Sequence, residues 1–458
     1  IAVDMDNGAF YVRKNGTWQT IDGGSQGDPT SGASRTGAGA TWTPASDYKS
    51  GMVPLAAPTG GSTPIITVNF GQDGTFAGEV TAGGNSDTNG YGNFYSSVPS
   101  GYSAVCNGAL TVASEIDPAE TDDDYPQALF KAKKYTGTGS SNAITGLGFQ
   151  PDWTWIKTID VYSDSQLTDS TRGVTKWISS SESDYEGTTA EGLKSFDSDG
   201  FTVGTDTEYN DSGESFASMS WRANGGTTAS NGTGDITSTV QADPSGCFSI
   251  VKYTGSGTAG DTIGHGLSTT PNMIMIKNIS SIDSWAVYHS VMGNGAHIEL
   301  NTSNAYTTSS AYWNSTSPTS TVFTVGTGDA LNQSTKNYIA YCFANCEGYI
   351  KAGSYVGNAD DDGTFVYTGF RPAMIILREY DQADNWPLYD NTRPGYNLSG
   401  NSLYTDYRGG GEAAASRAID FLSNGFKLRT SNATGNASSG NYIYIAMAHN
   451  PFKYATAR

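Results

Sequence analysis

The groups in this chain that could do chemistry are four histidines, four cysteines and 45 carboxylates, spread over 458 residues with a formal net charge of −20. Hydrolysis needs an acid, a base or a nucleophile held within hydrogen-bond reach of a partner. None of His265, His289, His297 and His449 sits at the matching position of another repeat, so no repeat-wide His site exists. No phosphate-binding loop or His-Glu-x-x-His helix occurs. Cys342 and Cys346 have the spacing of half a metal site, but no second Cys or His pair accompanies them. Cys106 and Cys247 are isolated in strand-like segments, where a small buried hydrophobe is expected. The sequence therefore predicts no catalytic residue, no metal site and no cofactor. Acidic pairs are numerous, so a two-carboxylate glycosidase is the enzymatic reading that stays open.

Two short motifs pair opposite charges. Asp169-Ser-Thr-Arg172 and Asp390-Asn-Thr-Arg393 place an Asp and an Arg three apart, close enough to clamp a tight turn. A middle counterpart reads His289-Ser-Val-Met-Gly, so the clamp is dispensable. Asp197 and Asp199 lie in a turn between two strands, where calcium is conceivable and a plain turn is the simpler reading. The glycine-rich segment 83–97 carries Tyr91, Phe94 and Tyr95. These rings either stack on a sugar or hold the loop to its own domain.

The elements around these residues read as one pattern written three times. Copies open at Lys134-Tyr135-Thr136-Gly137, Lys252-Tyr253-Thr254-Gly255 and Val366-Tyr367-Thr368-Gly369. An apolar run follows a proline in each: Pro151 to Lys157, Pro271 to Lys277 and Pro372 to Arg378. Each closes on a Phe, an Asn and an aromatic strand: Phe201, Asn210 and Phe216; Phe323, Asn332 and Tyr338; Phe426, Asn436 and Tyr442. On this alignment the third copy has lost most of the loop between its tyrosine and its proline. Repeats of about 115 residues exceed solenoid periods and match small domains. The boundaries expected are a β-sandwich over 1–110, an acidic linker over 111–127, and repeats over 128–239, 240–355 and 356–458.

Composition agrees. The 57 glycines and 12% aromatics point to many turns between strands, hence an all-β chain of tandem β-sandwiches. Asn7-Gly8 reads as a type I′ hairpin turn, Asn15-Gly16 as another turn, and Pro64–Phe70 as a strand. Trp153 and Trp155 share a strand face and read as core. Gly411 to Ala418 is the one helix candidate. Tyr442 to Ala448 is almost continuously apolar, so it is buried on both faces or meets another chain, and a homo-oligomer is expected. The acidic charge makes nucleic acid a poor partner. No apolar run is long enough for membrane insertion as a helix. The chain opens on Ile1 rather than Met, which reads as a piece of something longer.

Two resemblances set an expected context. Val3-x-x-Asp6-x-Gly8-x-Phe10, Lys14-Asn15-Gly16, Val68-Asn69-Phe70-Gly71-Gln72 and Val98-Pro99-Ser100-Gly101-Tyr102 resemble the C-terminal half of a SPRY domain, its phage version above all. That resemblance implies a concanavalin-like sandwich and a binding module. The three repeats, with Asp199-Gly200-Phe201-Thr202-Val203-Gly204 and the ending Tyr442 to Ala446 with Pro451-Phe452, resemble an uncharacterised domain of large structural proteins of tailed bacteriophages. Together they imply a virion protein on the outer surface of a tail or capsid. Its partners would be other virion proteins and host surface polysaccharide, and its role that of a tail fibre or adhesin. The alternatives are a head fibre or capsid decoration with an architectural role, and a polysaccharide depolymerase.

Overall fold

A computed structural model describes residues 1–4, 6–14, 16–20, 24–41, 75, 80–87, 90–104, 126–393, 397–409, 412–413 and 417–449. The expected strand at Pro64–Phe70 and the linker as far as 125 lie outside them, as does Cys106. The chain divides into two compact units, Ile1–Val112 and Ala113–Arg458. It is all-β: antiparallel sheets joined by turns, with helices that are single turns. Among the described residues no helix is long and apolar enough to cross a membrane.

In the first unit, Ala2–Asp4 pairs with Ala9–Tyr11, and Ala40–Thr41 adds a third strand. The hairpin forms where Asn7-Gly8 placed it, but its turn is not the two-residue type I′ expected. Asp4 pairs with Ala9, four residues lie between them, and only Gly8 of the Asn-Gly pair has positive φ, 70°. The Asp4 carboxylate closes this longer loop by accepting from the Asn7 backbone N–H and side-chain amide, each at 2.9 Å. The second turn is tight: Lys14 pairs with Thr17, and Gly16 has φ 82°. Ala2, Ala9 and Tyr11 form a small core against Trp18 and Tyr102.

In the second unit one sheet recurs three times with the same strand order: opening, closing, second, third. The opening strands are Phe130–Thr136, Phe248–Thr254 and Ile350–Val356. The second strands are Trp153–Thr158, Met273–Asn278 and Pro372–Glu379. The third strands are Gln166–Asp169, Ala286–His289 and Pro387–Asp390. The closing strands, Ser215–Trp221, Asn337–Phe343 and Asn441–Ala448, run between opening and second strands. Each sheet packs against a smaller one built on Gly200–Val203, Val322–Thr324 or Gly425–Leu428.

This register corrects the alignment of the third copy. Its opening strand is Ile350–Val356, paired along its length with Asn441–Ala448. The equivalent of Tyr135 and Tyr253 is therefore Tyr355, not Tyr367. Tyr135 stacks on Phe216, Tyr253 on Tyr338 and Tyr355 on Tyr442, at 5.1, 5.1 and 4.8 Å between ring centroids. Their hydroxyls donate to the carbonyls of Tyr209, Leu331 and Gly435. Tyr367 lies on a strand of the smaller sheet and is 63% exposed. The loop was never shortened, and the boundary at 355/356 detaches a strand from its own sheet. The motif misled because Val-Tyr-Thr-Gly copies the letters of the opening strand on a different strand. Within the helix expected at Gly411–Ala418, Glu412–Ala413 pairs instead as a strand with Asn401–Ser402.

The three sandwiches are not separate domains. On each second and closing strand, alternate residues face opposite ways. Ile156, Ile274 and Ile375 face the sandwich interiors. Trp153, Trp155, Met273, Met275, Met374 and Ile376 point the other way, into one core common to all three sheets. At its centre Trp153 lies between Trp221 and Tyr341, at 4.2 and 4.1 Å, so rings from the first and second sheets stack on each other. The closing strand Asn441–Ala448 is buried on both faces, between the common core and its own sandwich.

Candidate binding surface

The sheets meet at three seams, each held by a buried cation. Lys157, Lys277 and Arg378 are the penultimate residues of the three second strands. Lys157 Nζ donates to the Tyr407 carbonyl of the third sandwich at 2.9 Å. Lys277 Nζ donates to the Ser183 carbonyl of the first, also at 2.9 Å. Arg378 donates to the Ser303 and Asn304 carbonyls of the second, at 2.9 and 2.6 Å. First reaches third, third reaches second, second reaches first, so the contacts close a ring with approximate threefold repetition. Burial lowers both lysines from their usual range to about 8, and lowers Arg378 as well. Neutral carbonyls solvate these ammonium groups instead of a paired carboxylate, which explains the cost.

The same strand ends define one end of the ring, and there the loops bring aromatic side chains to the surface. Ser163 N–H donates to Arg408 O, Asp283 N–H to Ser183 O, and Tyr306 N–H to Tyr380 O, at 2.9, 2.9 and 2.8 Å. Beside the first of these bonds Tyr162 meets Tyr407 edge to face, 5.8 Å apart at 86°. Beside the third, Tyr306 meets Tyr380 at 5.7 Å and 64°. Ile282 and Tyr185 flank the middle one in sequence. Tyr162 and Ile282 are each 65% exposed, Tyr185 53%, Tyr407 46% and Tyr306 37%. Carboxylates surround them: Asp164 and Glu182 share Arg408 at 2.7 and 2.8 Å, Asp184 precedes Tyr185, and Asp381 follows Tyr380. Sequence reasoning missed these tyrosines. The signal for them was an aromatic or apolar residue a few positions after each second-strand cation, together with the returning loop.

The residues picked out from sequence have other places. The Asp169–Arg172 and Asp390–Arg393 ion pairs form, both fully or almost fully buried. Each clamps its turn: Asp169 Oδ1 accepts the Arg172 N–H at 2.9 Å and Asp390 Oδ1 the Arg393 N–H at 3.0 Å. They also tie sandwiches together, since Tyr341 O–H donates to Asp169 Oδ2 at 2.8 Å and Thr392 O–H donates to Ala132 O at 3.2 Å. His289 takes the same place in the middle sandwich. Its Nδ1 accepts from Val291 N–H and its Nε2 lies 3.3 Å from Tyr444 O of the third sandwich, a pattern that fits a neutral ring. Burial drops its pKa to about 4. Asp199 accepts from Gly146 and Gly148 N–H at 2.9 and 2.7 Å, so its carboxylate closes the sheet turn.

In the first unit Tyr91 and Tyr95 are exposed, while Phe94 turns partly inward over Gly92. Asp87, buried, accepts from Tyr91 and Ala104 N–H at 2.9 Å each and fixes that loop. Cys342 is buried in the second sandwich, and Cys346 lies on a different contact, beside Cys247. The 342/346 spacing therefore does not bring those two thiols to one site. Among the described residues no group of three or more His, Cys, Asp and Glu is placed to hold a metal. A cleft of about 610 Å³ is lined by Asn224, Ser230, Asn231, Thr233, Val240 and Gly266 with neighbouring small residues, none of them titratable.

Fold and surface together define an all-β protein whose three sheets share one apolar core, are tied at polar seams, and carry exposed aromatic side chains there. Residues 125–451 match a family described as a domain of unknown function, DUF7483, and the chain belongs to that family. The matched span takes in all three sandwiches, in keeping with their common core. Searches of curated proteins and of solved structures returned no match.

Proposed function

We propose that the protein is a bacteriophage virion component displayed outward, a tail fibre or tail-tip adhesin that contacts host surface glycans and does not turn them over. One observation carries the reading. The buried charged and polar groups at the seams are engaged in holding the ring, while each seam leaves at least one tyrosine exposed: Tyr162 and Tyr407, Tyr185, and Tyr306. Such a surface suits repeated weak contacts, since tethered sites raise avidity without any new contact. The phage-like motifs of both units supply the setting. Its partners are then other virion proteins and host polysaccharide.

Deleting the gene from the phage and measuring adsorption tests this: adsorption should fall, and purified protein should bind host cells and compete with phage for them. Unchanged adsorption together with no cell binding would sink the adhesin reading. The near-threefold ring favours a second reading, a head fibre or capsid decoration seated on a symmetric vertex, and cryo-EM of the particle would separate the two by location. A reducing-sugar assay on host polysaccharide discriminates a depolymerase from both.

A further inference from the structure

We propose that the tyrosine pairs at the seams, Tyr162 with Tyr407 and Tyr306 with Tyr380, are stacking platforms for uncharged pyranose chains, and that the carboxylates around them turn anionic polysaccharides away. The inference deepens the glycan-contact reading and rests on it. A pyranose ring has an apolar C–H face and a rim of hydroxyls. It needs a flat apolar surface with hydrogen-bond acceptors at the edge, and an amphipathic aromatic supplies the first of these. Tyr162, Tyr407 and Tyr306 keep 65%, 46% and 37% of their surface exposed beside these edge contacts, so ring surface stays open to solvent in each pair. The acceptors are at hand in Asp164 and Glu182 beside Tyr162, whereas Asp381 beside Tyr380 already accepts from the Asn441 side-chain amide at 2.7 Å.

Size favours a sugar over a protein partner. A tyrosine buries about 150–250 Å² when fully covered, so a half-exposed pair offers far less than the roughly 800 Å² per side of a stable protein interface. A patch of that size suits one or two sugar rings. Charge selects among sugars. At the first seam two cations, Lys157 and Arg408, face four carboxylates, Asp164, Glu182, Glu208 and Asp406, which leaves a net negative charge. At the middle seam the cation, Lys277, is buried, while Asp184 is exposed. On a chain of net charge −20 this local field repels a polyanion. Two seams carry tyrosine pairs, and the middle one offers Ile282 with Tyr185, a poorer platform.

Affinity electrophoresis of the full chain tests the proposal, with gels containing dextran, mannan or hydroxyethylcellulose as neutral polymers and polygalacturonate as the anionic one. The wild type should be retarded by at least one neutral polymer and not by polygalacturonate. Tyr162→Ala combined with Tyr306→Ala should weaken the neutral interaction at least tenfold at unchanged melting temperature. Tyr162→Phe with Tyr306→Phe should keep it, because the ring face survives. Asp184→Lys should introduce retardation by polygalacturonate. Equal retardation of the double alanine variant would overturn the seam platforms and leave glycan binding elsewhere on the protein standing. Retardation of the wild type by polygalacturonate would overturn the charge selection. If no neutral polymer retards the wild type while the protein still competes for host adsorption, the adhesin reading survives, the sugar class falls, and the seams pass to a protein partner.

Discussion

Asn210, Asn332 and Asn436 each sit six residues before a core aromatic, fully buried, and bind the loop that follows the opening strand. Asn332 accepts from Ser256 N–H at 2.8 Å and donates to the carbonyls of Thr258 and Gly326, also at 2.8 Å. Asn210 and Asn436 repeat this, accepting from Thr138 and Asn358 N–H and donating to Gly204 and Thr430 carbonyls. Removing such a side chain leaves several buried backbone groups unpaired, at about 1–3 kcal/mol each. Asn332→Ala should therefore lower stability by about 2–4 kcal/mol in denaturant unfolding, and a change under 1 kcal/mol would show that water replaces the amide. A second comparison tests the corrected register. Tyr355→Ala removes a stacked core ring and should cost about 3–5 kcal/mol, whereas Tyr367→Ala, at an exposed position, should stay within about 0.5 kcal/mol. The reverse order would restore the alignment read from the letters alone.

The second strands carry their cations into the seams at a cost that pH can reveal. Lys157 and Lys277 are lowered from 10.5 to about 8 by burial. Between these values the unfolded chain keeps its protons while the folded one releases them, so stability rises with pH. Below pH 8 both states are protonated and the contribution is flat. The melting temperature should accordingly climb from pH 8 toward pH 10, and Lys277→Met should remove about half of the climb. A slope untouched by that substitution would rule out the buried lysine as its source. Above pH 10 the trend should reverse, because Tyr135, Tyr253 and Tyr355 are held neutral by burial while their unfolded counterparts ionise.

Across the molecule the common core makes the three sandwiches depend on one another. An isolated first sandwich would expose Trp153, Trp155 and Trp221 to water, and the ring seams would lose their acceptor carbonyls. Residues 113–458 should therefore unfold in one calorimetric transition, with van't Hoff and calorimetric enthalpies in agreement. Trp153→Ala should lower the midpoint seen by a probe in the third sandwich as much as by one in the first. Separate transitions for the three sandwiches would contradict the shared core.

Strand content, the threefold pattern and the buried aromatics were legible in the residues because they rest on local rules: a period of two, turn formers, and an Asn at a constant offset. The Asp–Arg clamps were legible for the same reason, being bonds between residues three apart. Two things were settled by the folded chain alone. The first is where the third copy begins, since a Tyr-x-Gly motif fits two strands and only the pairing of Ile350–Val356 with Asn441–Ala448 distinguishes them. The second is the ring itself. Nothing local marks one face of a strand as belonging to a neighbouring sandwich. Nor does anything local mark Tyr162 for Tyr407 across some 245 residues, so the seams and their exposed tyrosines exist only once the sheets have closed on a common core.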